Sequence, residues 1–212
     1  MPLLARLVGG PQGEARALAS ERTSPGAKGV AIVAVIAALS IAATGLGATA
    51  RGGVTEEYDL KAAFLFNFAQ FVDWPADAFA TATTPITIAV LGDDPFGAKL
   101  DALVAGETIR RRPLVVRRYR SVEQIDTCHV LFISSSETSR LDHIAQALAH
   151  RSILTVGETK DFAAHGGIIG FALSQRHLRL QINVAAASEA RLTISSKLLR
   201  QAHVVRSGGG RE

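Results

Sequence analysis

Apolar positions recur along the chain in two alternating rhythms, and each switch between them marks an element boundary. Between Glu57 and Pro75 the sequence reads EYDLKAAFLFNFAQFVDWP. Leu60, Phe64, Phe68 and Phe71 fall there at helical spacing, with Asp59, Lys61, Asn67, Gln70 and Asp73 on other positions, which predicts an amphipathic helix. Pro75 stops it, since the residue before a proline is pushed out of the α region. Phe66 lies about 160° from the middle of this stripe at 100° per residue. Its ring is therefore expected under a second layer or at a partner's surface, and Phe66 is the candidate partner-binding residue.

Downstream the rhythm shortens. Ile86–Leu91 predicts a strand ended by Gly92, and Asp93-Asp94-Pro95 reads as a helix start, followed by an inward face of Phe96, Leu100 and Leu103. Pro113–Tyr119 alternates and is arginine-rich, as expected near a sheet edge. His129–Ile133 is a short apolar run, the candidate central strand. After the hydroxyl cluster Ser134–Ser139, residues Arg140–His150 repeat at helical spacing through Leu141, Ile144, Ala145 and Leu148. Ile153–Val156 is a further strand, and Ile168–Leu173 with Leu178–Val184 forms a hairpin around Ser174–His177. Ala185–Arg191 and Ser195–Ala202 read as helical. This alternation predicts an α/β fold, a three-layer domain with a mostly parallel sheet, helices on both faces and a C-terminal antiparallel hairpin.

At 212 residues and 48% hydrophobic, the chain has length for one domain, expected over residues 56–205. The formal charge of +4 owes much to the first 50 residues, where Arg6, Arg16, Arg22 and Lys28 face only Glu14 and Glu21. From Gly29 to Ala50 no charge occurs, and the segment ends in Ala48-Thr49-Ala50. That is the layout of an export signal over residues 1–50, cleaved after Ala50. Retention of residues 29–50 as an inner-membrane anchor is the competing reading. The lead of residues 1–27 is long for such a signal, and a mis-called start is one reading of it. A flexible leader is expected over 51–55 and a disordered tail over 206–212, which contains Gly208, Gly209 and Gly210.

Export changes the reading of Arg110, Arg111, Arg112, Arg117 and Arg118, which in a near-neutral exported domain are expected on a solvated strand flank, or at an acidic partner's surface, and not at nucleic acid. The lone cysteine, Cys128, permits no intrachain disulfide. No nucleophile elbow surrounds Ser134, Ser135 and Ser136, and the histidines match no metal-ligand spacing. Gly166, Gly167 and Gly170 fit no dinucleotide fingerprint. No catalytic residue, metal or cofactor is expected. The hydroxyls serve first as helix caps, and an anion cradle at the same turn is the functional alternative. Asp93, Asp94, Ser134, Ser135 and Ser136, at the carboxyl ends of two strands, are the candidate ligand-binding residues.

The helix KAAFLFNFAQFVDWP, the segments ITIAVLGDDPFG, CHVLFISSSE and LTVGETKDFAAHGGIIGF, and the ending LQINVAAASEARLTISSKLLRQA together resemble the YfiR-like family over Tyr58–Val204. The resemblance implies a periplasmic α/β regulator that is not an enzyme. Its name-giving member is a dimeric repressor of an inner-membrane diguanylate cyclase, lowering cyclic di-GMP production. The expected partner is thus an inner-membrane signalling protein, a diguanylate cyclase or a histidine kinase, with a homodimer and a small ligand as further partners. The alternative is a periplasmic small-ligand binding protein with its pocket at the strand carboxyl ends.

Overall fold

Apolar runs too short for helices and unbroken by polar residues become the middle of a parallel sheet, because helices on both faces leave no solvent side. The computed structural model describes residues 50–174 and 177–205. In it β2 (Ile86–Leu91) and β5 (Val130–Ile133) are buried at every position and pair in parallel, Ile88 opposite Val130 and Val90 opposite Phe132. On one side of this pair lie β4 (Arg112–Tyr119) and the two-residue β3 (Thr108–Ile109). On the other lie β6 (Leu154–Gly157), β7 (Ile169–Ser174), β8 (His177–Asn183) and β10 (Ala202–Val205). The order is β10-β8-β7-β6-β5-β2-β4-β3, with β8 antiparallel to β7 and β3 antiparallel to β4. A separate ribbon joins β1 (Val72–Asp73) to β9 (Thr193–Ile194) and ties the end of the first helix to the C-terminal region.

Helix α1 (Ala50–Phe71) and α2 (Ala98–Val104) cover one face of the sheet through Leu65, Phe68, Ala69, Leu100 and Val104, joined by Leu198 of α5 (Ser196–Leu199). The other face, carrying Ala89, Leu91, Leu131 and Ile133, is closed by Val122, Ile125, Phe162 and α3 (Leu141–Ala147). A short α4 (Val184–Glu189) follows the hairpin, its N-terminus capped by the Asn183 side chain. The fold is therefore the three-layer α/β arrangement with a mostly parallel sheet and a C-terminal hairpin.

Five local expectations are corrected. Phe66 is 1% exposed within the main core, so its ring is covered and not offered to a partner. The buried face of α1 is centred on Leu65, Phe66 and Ala69, while Phe64 and Phe71 sit half-buried at its margin. The helix also begins at Ala50, so residues 51–55, read as a leader, have helical backbone. Asp94 does not open a helix: it accepts a hydrogen bond from the Phe96 N–H at 2.8 Å, and α2 starts only after Gly97, at φ +53°. Finally, Ala202 ends no helix but begins β10, paired in parallel with Leu180. The export segment, Ala50 apart, and the tail over 206–212 lie outside the described residues.

Candidate functional site

Parallel strands deliver their following loops to one end of the sheet, so the turns after β2 and β5 meet. The Asp93 N–H donates to Ser136 Oγ at 3.0 Å. Gly92, at φ +91°, makes this approach possible, since a Cβ there would stand 2.4 Å from Ser136 Oγ and 2.8 Å from Glu137 Oε1. Ser134 caps the 3-10 helix Ser135–Arg140 by accepting from the Ser136 N–H. Glu137, buried beneath it, pairs with Arg140 at 2.6 Å. Asp93 faces Arg120 at 3.2 Å on the surface, and Asp94 is held by Arg118 Nε at 2.6 Å. Four of the five candidate residues, Asp93, Asp94, Ser134 and Ser136, thus spend these hydrogen bonds on fastening loops to one another and to the chain.

Ser135 alone lines an open hollow, a cavity of about 240 Å³ shared with Glu57, Tyr58, Lys61, Glu158 and Phe171. Its centre is an ammonium: Lys61 reaches Glu158 Oε2 and Glu57 Oε1, both at 2.6 Å, and is only 3% exposed. The Tyr58 hydroxyl donates to Glu158 Oε1 at 3.3 Å, and Lys61 Nζ lies 4.4 Å from the Tyr58 ring centre. Burial pulls the Lys61 pKa down, but hydrogen bonds to Glu158 and Glu57 and their negative charge outweigh it, leaving the pKa raised. Burial, then the charge of Glu158, raises Tyr58 as well. Both shifts lead away from the deprotonated form that a catalytic base or amine nucleophile requires. Cys128 is buried, donates to the Val130 carbonyl, and has its pKa pushed up by burial, away from the thiolate.

Sequence reasoning missed this ion cluster. Glu57 and Lys61 stand four apart on one helix and were visible as a pair. Glu158 lies 97 residues from Lys61 and no local pattern announces it. The arginines serve as clamps: Arg118 also binds Asp101, Arg110 pairs with Asp73, and Arg112 stacks 3.8 Å from the Phe79 ring centre. A larger groove of about 630 Å³ opens on the other sheet face, between α3, Phe162, Ile168 and Ala186. Among the described residues no group of three or more His, Cys, Asp or Glu could hold a metal ion, and no helix is long and apolar enough to cross a membrane.

Fold and site together define a three-layer α/β domain whose central ammonium is committed to internal ion pairs. The chain belongs to the YfiR/HmsC-like family, whose model matches residues 58–203. No curated protein matches it. Among solved structures it is similar to an ABC domain in complex with L-Trp from Streptococcus pneumonia, at 12% identity and a TM-score of 0.42. That match covers 57% of this chain and 55% of the other, so the chain spans about half of that structure's length.

Proposed function

We propose that this protein is a non-enzymatic periplasmic regulator that binds, and represses, an inner-membrane signalling protein. Membership of the YfiR/HmsC-like family carries the reading. The ion cluster supports it: a lysine held between two carboxylates fastens α1 to the loop after β6 and keeps its proton near neutral pH. A regulator needs no reacting group, only a surface that favours one state of its partner. The partner is a diguanylate cyclase, with a histidine kinase as the other member of the class.

The test is deletion of the gene together with capture of the tagged protein from detergent-solubilised membranes. Cyclic di-GMP is expected to rise on deletion, and a membrane-spanning cyclase to be captured. An unchanged cyclic di-GMP level with a captured kinase would reassign the partner. Recovery of the protein from the cytosol, with no membrane partner, would end the proposal. A second reading, a small apolar ligand bound by the domain, is favoured by the 630 Å³ groove, which is within the usual size of small-molecule sites. Isothermal titration with candidate ligands and an Ile144→Trp variant that fills the groove separates the two.

A further inference from the structure

Asn67, on the last turns of α1, is 1% exposed, yet neither its side-chain oxygen nor its nitrogen has a hydrogen-bond partner among the described residues. A buried carboxamide left unpaired is costly and rare, which points to a group from outside the described domain. The same side chain lines a cavity of about 270 Å³ between α1 and α5. Its apolar walls are Phe64, Phe71 and Leu198, and its rim carries Lys197 and Arg200. Both rim cations are exposed, and neither is in an ion pair among the described residues.

We infer that this cleft seats the main chain of an extended, acidic segment of a partner protein. The inference rests on the reading that the protein acts by binding another protein, and it names where. A carboxamide presents a donor and an acceptor side by side. A residue in an extended strand turns its own N–H and C=O to one side in the same way, so the two are complementary. The hollow lies below the roughly 300–1,000 Å³ of ordinary cofactor and ligand sites and suits one or two residues of a peptide. Phe64 and Phe71 flank the seated residue, and the cationic rim selects for Asp or Glu beside it.

The test replaces Gln201, at the mouth of the cleft, with the photocrosslinker p-benzoylphenylalanine in the full chain and irradiates intact cells. Leu173, 62% exposed beside the other hollow, carries the same crosslinker in a parallel strain. Mass spectrometry is expected to find, from position 201, a membrane-protein segment rich in Asp or Glu. Asn67→Leu, which removes the unpaired group, should cut that product about tenfold while leaving the melting temperature unchanged or higher. Arg200→Glu, a surface change, should cut it as well. A membrane-protein product from position 173 alone would overturn the cleft and leave the regulator reading standing. A product with a second copy of the chain or with a small molecule at 201 would overturn the cleft, and no membrane-protein product from either position would overturn both. Crosslinking that survives Asn67→Leu or Arg200→Glu, or a lowered melting temperature in Asn67→Leu, would show the carboxamide to be satisfied within the domain and sink the inference.

Discussion

His129 ties strand β2 to the turn at Ala78 through one ring. Its Nδ1 accepts the Thr87 N–H at 3.1 Å, so the proton sits on Nε2, which donates to the Ala78 carbonyl at 3.2 Å. Phe79 stacks on the ring at 4.6 Å between centres, and the imidazole itself is buried. Burial first, and then nearby Arg112, hold the imidazole below its usual pKa, against the opposing hydrogen bond to Ala78. The unfolded chain therefore takes up the proton first as pH falls. Stability from this group is intact above about pH 6.5 and declines below it, with a slope approaching about 1.4 kcal/mol per pH unit. Urea unfolding between pH 7.5 and 5 should show that decline, and His129→Gln should flatten it; equal slopes in both proteins would refute the assignment. Phe66 belongs at this scale too. With its ring enclosed, Phe66→Ala should cost about 3–5 kcal/mol in the same assay. A cost below about 1 kcal/mol would return the ring to the surface that its position on the helical wheel suggested.

Among elements, the segment between β6 and β7 is fastened by an aromatic ring held between two glycines. A Cβ at Gly167 would stand 2.1 Å from the Phe162 ring, and one at Gly157 would stand 2.6 Å from it. Gly167→Ala should therefore cost at least about 1–3 kcal/mol through overpacking, visible as a lower urea midpoint. Gly166→Ala meets no atoms but sits at φ +97°, so its loss comes from backbone strain alone. Equal, small effects at 157 and 167 would show that Phe162 moves aside freely. The strands of the parallel core were legible because covered strands read as unbroken apolar runs. The true face of α1 was not, because a helix covered by the sheet, by α5 and by the loop after β6 buries Lys61 and Asn67 along with Phe66, and polar letters then mislead the wheel. Asp93, Ser134 and Ser136 were rightly drawn to one end of the sheet by strand order. Their hydrogen bonds to one another depend on the β2–β5 adjacency, which residue types do not encode locally.

At the scale of the whole molecule the two sheet faces are unequal. One carries the long α1 with α2 and α5, and the other is closed by seven-residue α3, in which only Ile144 is buried. Local opening follows the number of buried apolar contacts, so Leu141–Ala147 amides should exchange with solvent well ahead of those in β2 and β5. Uniform protection across both layers in hydrogen-exchange mass spectrometry would contradict this. The general plan was readable from alternating periods, whereas β3, the β1–β9 ribbon and β10 were not, being two to four residues long and defined by partners elsewhere in the chain. The Lys61–Glu158 pair carries a further consequence for how the domain is made. Its partners are 97 residues apart, and Tyr58 and Glu158 are 100 apart. At about 5–20 residues per second of synthesis, α1 waits roughly 5–20 s for the strands that bury it. During that interval Leu65, Phe66 and Phe68 form a sticky, helix-prone stretch, so the first-made of the described elements is exposed to aggregation and proteolysis, and a holding chaperone has its target there.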